Sequence, residues 1–243
     1  MSDDSASGSH RTILFKLSGE LLGDEHGSGI DPQSINRVAD EIAQVVNAGV
    51  RTGMVIGGGN FFRGGRSAGF SLPAVQAHQM GMLFTIANAI ALEQALLGIG
   101  VPTVVQSAIA IPSIVDQFDG RSFVRHLDEG SAVIFAGGTG STHFSTDTAA
   151  SLRAIQIGAD ILLKATQVDG IYSSDPKQEN DAKKYDRITY DEVLMRNLAV
   201  MDAAAIVMCR EHNLPIQVFD ATVSGGIARA GLGGNDGTVV ARE

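Results

Sequence analysis

Four charged residues lie beside glycine-rich stretches in an arrangement suited to handling phosphate. Lys16 opens the run Lys16-Leu17-Ser18-Gly19, and Arg63 follows Gly57-Gly58-Gly59-Asn60. Asp147 follows Gly137-Gly138-Thr139-Gly140-Ser141-Thr142, and Lys164 ends a further apolar run. Glycine lets bare backbone N–H groups approach phosphate oxygens, and lysine and arginine offset the charge of a transferring phosphoryl group. Taken singly, each glycine run is equally a plain turn, and each lysine equally a strand-end side chain reaching solvent. Their shared position after apolar runs is what turns the reading toward phosphate.

Other chemistries find less support. Neither G-x-x-x-x-G-K-[ST] nor a strand-associated G-x-G-x-x-G is present, so a P-loop and a dinucleotide fingerprint are both unsupported. The six histidines form no H-E-x-x-H spacing, and one cysteine cannot make Cys-x-x-Cys, so no protein-held metal is expected. Magnesium carried in by a nucleotide is the metal that fits. His126 and His212 read as packed or solvated helix residues. Cys209, in an apolar stretch, reads as a core thiol in a reducing cytoplasm.

A formal charge of −9 argues against general affinity for nucleic-acid backbones or anionic membranes. With 243 residues, 44% of them hydrophobic, and 29 glycines against 6 prolines, the chain fits one α/β domain with many tight turns. Residues 1–10, small, polar and acidic, read as a loose tail without the pattern of a signal peptide, leaving 11–243 as a single domain.

The elements that must position the glycine runs follow from periodicity. Strands are expected at 12–17, 50–56, 102–106, 131–136, 159–164, 216–219 and 238–241. Helix one begins with Asp31 as N-cap and Pro32 in the first turn, carries the stripe Ile35, Val38, Ile42, Val45 and Val46, and stops at Gly49. Further helices are expected at 73–97, 147–157, 190–196 and 203–212, with a short one around Ile227. The 73–97 segment, interrupted by Asn88, Glu93 and Gln94, reads as a buried helix, and its Met- and Ala-rich stripe as an oligomer face or plain core. Asp169-Gly170 is a turn, and 173–187 has the composition of a lid. Alternating strands and helices imply a three-layer sandwich around a largely parallel sheet.

With these parts in place the sequence resembles bacterial uridylate (UMP) kinases of the amino-acid-kinase fold, from about Arg11 onward. The resemblance is carried by K-L-S-G-E at 16–20, V-I-G-G-G-N at 55–60, F-R-G at 62–64, M-G-M at 80–82 and G-T-G at 138–140. It continues in T-D at 146–147, L-K-A-T-Q-V-D-G-I-Y-S-S-D-P at 163–176, V-M-D at 200–202 and L-P-I-Q-V-F at 214–219. It implies Mg-dependent transfer of the ATP γ-phosphoryl group to UMP in pyrimidine nucleotide synthesis, with an acceptor half and a C-terminal ATP half. Lys16, Leu17, Ser18, Gly19, Gly59 and Arg63 would contact ATP phosphates, and Thr166, Tyr172 and Asp175 its nucleoside. Gly58, His78, Thr139, Gly140, Ser141, Thr142, His143, Phe144, Ser145 and Thr146 would bind UMP. Asp147 and Asp202 would orient Lys16 and Lys164, and no base is needed because a nucleotide phosphate is already largely ionised.

The resemblance further implies a cytoplasmic homohexamer, activated by GTP through Asp24, Glu25, His26, Gly27, Ser28 and Gly29, and inhibited by UTP. One position departs from the family pattern: His78 stands where an acidic residue usually contacts the uridine ribose. Two other readings share the fold. One is a kinase acting on acetylglutamate, aspartate, glutamate or carbamate, and the other is a metal-oxyanion storage protein that binds without turnover.

Overall fold

The computed structural model describes residues 11–62, 72–174, 179, 181–198 and 200–243. The 1–10 tail, Arg63 and Asp175 lie outside the described residues, as does part of the lid-like segment.

The chain opens with β1 (Thr12–Leu17), a 3-10 turn (Gly19–Leu22), α1 (Pro32–Asn47), β2 (Arg51–Ile56) and α2 (Ala74–Gly98). It continues with β3 (Thr103–Ser107), β4 (Asp116–Gln117), α3 (Ser122–Asp128), β5 (Ala132–Ala136), α4 (Thr146–Gln156) and β6 (Ile161–Thr166). The remainder is β7 (Ile171–Tyr172), β8 (Lys184–Tyr185), β9 (Arg187–Thr189), α5 (Tyr190–Met195), α6 (Ala203–Glu211), β10 (Ile216–Asp220), α7 (Gly226–Gly231) and β11 (Thr238–Ala241). Nine strands form one sheet in the order β4-β3-β5-β2-β1-β6-β10-β11-β9, while β7 and β8 make a separate hairpin. Every pairing in the large sheet is parallel except β10 with β11.

Strand alternation divides the core between two faces. Ile13, Phe15 and Leu17 of β1 join Ile35, Val38, Ile42, Leu92, Leu96 and Ile227 from α1, α2 and α7. Leu14 of β1 and Leu162 of β6 join Ala150, Ala154, Ile206 and Cys209 from α4 and α6 on the other face. Lys16 and Lys164, two residues beyond Leu14 and Leu162, therefore share the α4 face.

Helix α1 begins as its sequence dictates: the Asp31 carboxylate accepts from Ser34 N at 2.8 Å, and Pro32 occupies the first turn. Helix α2 departs from the buried helix expected. Ala77, Thr85, Ile86, Asn88, Ala89, Leu92 and Leu96 are buried, whereas Val75, Leu83 and Leu97 are more than 40% exposed, so only one face is covered. By length and composition alone α2 could cross a membrane. Its polar interruptions have structural partners: Glu93 Oε1 accepts from Val105 N at 3.1 Å, tying the helix to β3. Strand β6 runs to Thr166, so Lys164 stands inside the strand rather than at its end. The short strands β4, β7, β8 and β9 were not expected, because two or three residues carry no period to read, while α3 supplies the helix on which His126 was read, its bounds not set beforehand.

Candidate functional site

Lys16 and Lys164 are direct register partners on the parallel pair β1 and β6. Asp147, in the first turn of α4, reaches both: its Oδ1 lies 3.0 Å from Lys16 Nζ and its Oδ2 2.8 Å from Lys164 Nζ. All three side chains are at most 15% exposed. Burial alone would raise the Asp147 pKa, but the two ammonium groups outweigh it and hold the carboxyl below the usual carboxylate value. Burial pushes Lys164 the opposite way, below an ordinary lysine; Asp147 partly restores it and Lys16 opposes that. Lys164 Nζ also donates to the Val200 carbonyl oxygen.

Asp147 is aimed by its helix start. Ser145 caps α4, its Oγ accepting from Asp147 N at 2.9 Å and Thr148 N at 3.2 Å. Ser145 Oγ donates in turn to Asp202, which also accepts from Thr148 Oγ1 at 3.0 Å and caps α6 through Ala205 N at 3.0 Å. Asp202 thus joins the starts of α4 and α6 and supports Lys164 by charge across space. Its hydrogen bonds go to Ser145, Thr148 and Ala205 rather than to either lysine.

On the β2 side of this pair lies a cavity of about 290 Å³, lined by Gly58, Gly59, Phe62, His78, Met82, Thr85, Gly138, Phe144, Ser145 and Thr146 among others. Its floor is built by close approach. A Cβ at Gly58 would stand 2.9 Å from both Gly81 O and Phe84 Cβ, so only glycine lets this turn lie against α2. Thr85 Oγ1 accepts from Gly137 N at 2.9 Å, fixing α2 to the start of the β5–α4 loop. That loop turns through positive φ at Gly137, Gly138, Gly140 and His143. Thr139 braces it internally, its Oγ1 accepting from Ser141 N and donating to Ser141 O, both at 3.2 Å. His143 packs against His78, with ring centroids 4.8 Å apart, bridging the loop to α2.

On the β10 side a second cavity of about 470 Å³ is lined by Thr166, Val168, Gly170, Ile171, Tyr172, Ser173, Ser174, Asn197, Leu198, Val200 and Val218, among others. Tyr172 OH donates to Asp169 Oδ1 at 2.8 Å, and Lys184 Nζ lies 3.1 Å from Asp169 Oδ2, bracing the β7–β8 hairpin that walls it. Between the cavities, Ser18 caps the 3-10 turn by accepting from Glu20 N, and Gln167 Nε2 donates to Glu20 Oε2 at 3.3 Å. The Leu17 side chain is fully buried in the core, so its backbone alone can meet a ligand.

Only some of the expected residues meet along the strand ends; Thr139, Gly140, Ser141, Thr142 and His143 are in the lining of neither cavity, and Arg63 and Asp175 lie outside the described residues. Gly58, Gly59, His78, Phe144, Ser145 and Thr146 line one cavity, Thr166 and Tyr172 the other, and Lys16, Asp147 and Lys164 stand between. Sequence reasoning missed Thr85, Phe62, Asn197 and Leu198. Thr85 was the detectable one, as a polar residue within an apolar helix; Asn197, with φ of 49°, carries no sequence mark beyond its type. Among the described residues no group of three or more His, Cys, Asp and Glu could hold a metal by itself, and Asp147 and Asp202 already have their partners.

The family model described as "Amino acid kinase family" matches residues 11–220. A uridylate kinase of Ectopseudomonas mendocina is 47% identical over 231 residues, covering 95% of this chain and 94% of the relative. Another, of Paramagnetospirillum magneticum, is 48% identical over 233 residues, covering 96% and 97%. Among solved structures, UMP kinase from Bacillus anthracis superposes with a TM-score of 0.92 at 35% identity, covering 96% of this chain and 97% of that one. UMP kinase from Ureaplasma parvum gives 0.90 at 33% identity, covering 96% and 99%.

Proposed function

This chain belongs to the amino acid kinase family and is a nucleoside monophosphate kinase, a transferase, and from that premise we propose that it moves the γ-phosphoryl group of ATP onto UMP. The observation that carries the reading is the Lys16–Asp147–Lys164 triad standing between two cavities. UMP takes the cavity on the β2 side and the ATP nucleoside the cavity on the β10 side, so that attacking and leaving oxygens meet at the triad.

The acceptor needs no protein base, since the second ionisation of a phosphate monoester lies near pH ~6 and the attacking oxygen is already anionic at neutrality. What remains is alignment and charge neutralisation. Lys16 and Lys164 flank the transferring group and neutralise charge as the β–γ bond breaks and the UMP–phosphorus bond forms. Asp147 keeps both ammonium groups placed and favours the charged form of Lys164, Asp202 holds the α4 start that carries Asp147, and Arg63 adds positive charge on the donor phosphates. Asp175 contributes to the nucleoside site. Mg²⁺ arrives with ATP and supplies further neutralisation of the phosphates; no protein cage for it is needed.

The product UDP places the enzyme in the supply of UTP and CTP, in the cytoplasm. The exposed apolar residues of α2, with Ile99 and Ile114 nearby, support assembly into a homo-oligomer, a hexamer by the family resemblance. GTP activation through the 24–29 loop and UTP inhibition rest on that resemblance. A coupled assay with ATP and UMP, with and without GTP, tests the reading; turnover of acetylglutamate, aspartate, glutamate or carbamate in place of UMP overturns it. Sedimentation or light scattering tests the assembly.

A further inference from the structure

We infer that Asn60 and Asn88 form a positioning pair through which the 24–29 loop sets the placement of the Gly57–Gly59 turn; this rests on reading that turn as a phosphate cradle. Asn88 is fully buried in α2 and Asn60 is 5% exposed. Their amides bond reciprocally, Asn60 Nδ2 to Asn88 Oδ1 at 3.0 Å and Asn88 Nδ2 to Asn60 Oδ1 at 2.7 Å. Each has one N–H left, and the two go in different directions. Asn88 Nδ2 donates to Gly57 O at 2.7 Å, and Asn60 Nδ2 donates to Gly29 O at 2.7 Å. All four amide hydrogens are used, which suits a buried network that specifies one geometry.

Two loops are seated on this ring from outside. Gly29 N also donates to Asn60 O at 3.0 Å, so the end of the 24–29 loop is bonded to Asn60 by both its backbone groups. The loop itself is closed by Asp24, whose Oδ1 accepts from His26 N at 3.0 Å and Ser28 N at 2.9 Å. Gly19 lies so close that a Cβ there would stand 2.4 Å from Asn60 Oδ1 and 2.5 Å from Gly57 O. Displacement of Gly29 therefore moves Asn60, and through Asn88 moves Gly57, while Gly19 blocks relaxation in the third direction. The 24–29 loop has its own route to the phosphate-binding turn, independent of the nucleotide cavities.

A double-mutant cycle tests the coupling. Asp24→Ala opens the loop at an exposed site. Asn60→Asp places a carboxylate oxygen against Gly29 O and removes the side-chain half of the link, leaving the Gly29 N to Asn60 O bond, while keeping an acceptor for Asn88. Asp24→Ala is expected to raise the KM for UMP about fivefold in the wild-type frame and by clearly less in the Asn60→Asp frame, at equal change in Tm in both frames. Effects that multiply overturn the proposal. Hydrogen exchange without substrate reads the same link: the Phe61 and Phe62 amides, bonded to Gly58 O, exchange faster in Asp24→Ala than in wild type. Unchanged exchange there overturns the coupling even if Asn60→Asp fails to fold. Wild-type protein inactive on UMP would overturn the functional reading alone, since the exchange result stands apart from it.

Discussion

Lys16 on β1 stands directly across from Lys164 on β6, and Asp147 takes one ammonium group on each carboxylate oxygen. Two like charges are thus held side by side by a single buried counter-charge.

Replacing Lys164 with Met keeps its length and removes its charge. Because such a group acts on charge developing in the transition state, kcat should fall by about 10²–10³ with a smaller change in KM. Asp147→Asn should cost stability as well, about 3 kcal/mol, since it removes the one carboxylate in contact with two largely buried ammonium groups and leaves only Asp202, acting on Lys164 across space. Steady-state kinetics and denaturant melts check both; a Lys164→Met enzyme with near-normal kcat removes Lys164 from the chemistry.

The pH profile has a definite sign. Lys164 titrates below the ordinary lysine value of 10.5, chiefly because it is buried, so its charge is lost as pH rises through that lowered value. Activity should therefore fall on the alkaline side before a free lysine would titrate. Lys164→Arg stays charged and should remove that limb, at reduced kcat. Stability responds differently: the unfolded chain holds this proton more tightly, so the Lys164 contribution improves with pH between its folded and unfolded pKa values. Asp147, lowered from 3.8, contributes stability fully above that value and loses it as pH falls through the folded pKa.

Gly58→Ala tests the floor of the β2-side cavity, proposed to hold UMP. The added methyl meets the α2 backbone at Gly81 O, which cannot move as a side chain could, so overpacking should cost about 1–3 kcal/mol. Tm should drop and the KM for UMP rise, with the KM for ATP less affected.

His78 lines the same cavity and packs on His143. His78→Asp restores a charged acceptor for a ribose hydroxyl, and a charge-assisted hydrogen bond worth about 1 kcal/mol lowers the KM for UMP about fivefold. An unchanged KM in titrations of UMP against its 2′-deoxy analogue would place the ribose elsewhere.

Cys209 gives a probe of folding. Burial raises its thiol to about 11, although Ser151 Oγ, 3.2 Å away, opposes the shift. A thiol reagent at pH 8 should leave the native protein unmodified and label it fully in denaturant; rapid labelling of native protein would contradict the burial seen here.

The central strands and α1 were legible because each carries a long, unambiguous period and, in α1, the Asp31-Pro32 start. The lysines were legible as a set, through their place after apolar runs, but their direct pairing was not: register across β1 and β6 depends on strands separated by more than a hundred residues. Asn88 and Glu93 looked like blemishes in an apolar helix, and their partners at Gly57, Asn60 and Val105 become visible only in three dimensions. Asp202 was legible as an acid near the site, while its work of joining two helix starts depends on the packing of α4 against α6.

The sheet order places β1 and β6 in the interior, with β2, β5, β3 and β4 on one flank and β10, β11 and β9 on the other. The lysine pair is stitched across that boundary by continuous backbone hydrogen bonds, so the two flanks cannot swing apart as separate lobes, and any closure over nucleotides must be made by loops. The same boundary makes the scaffold modular. The turn after β2 and the inner face of α2 line the β2-side cavity and have no part in the lining of the β10-side one.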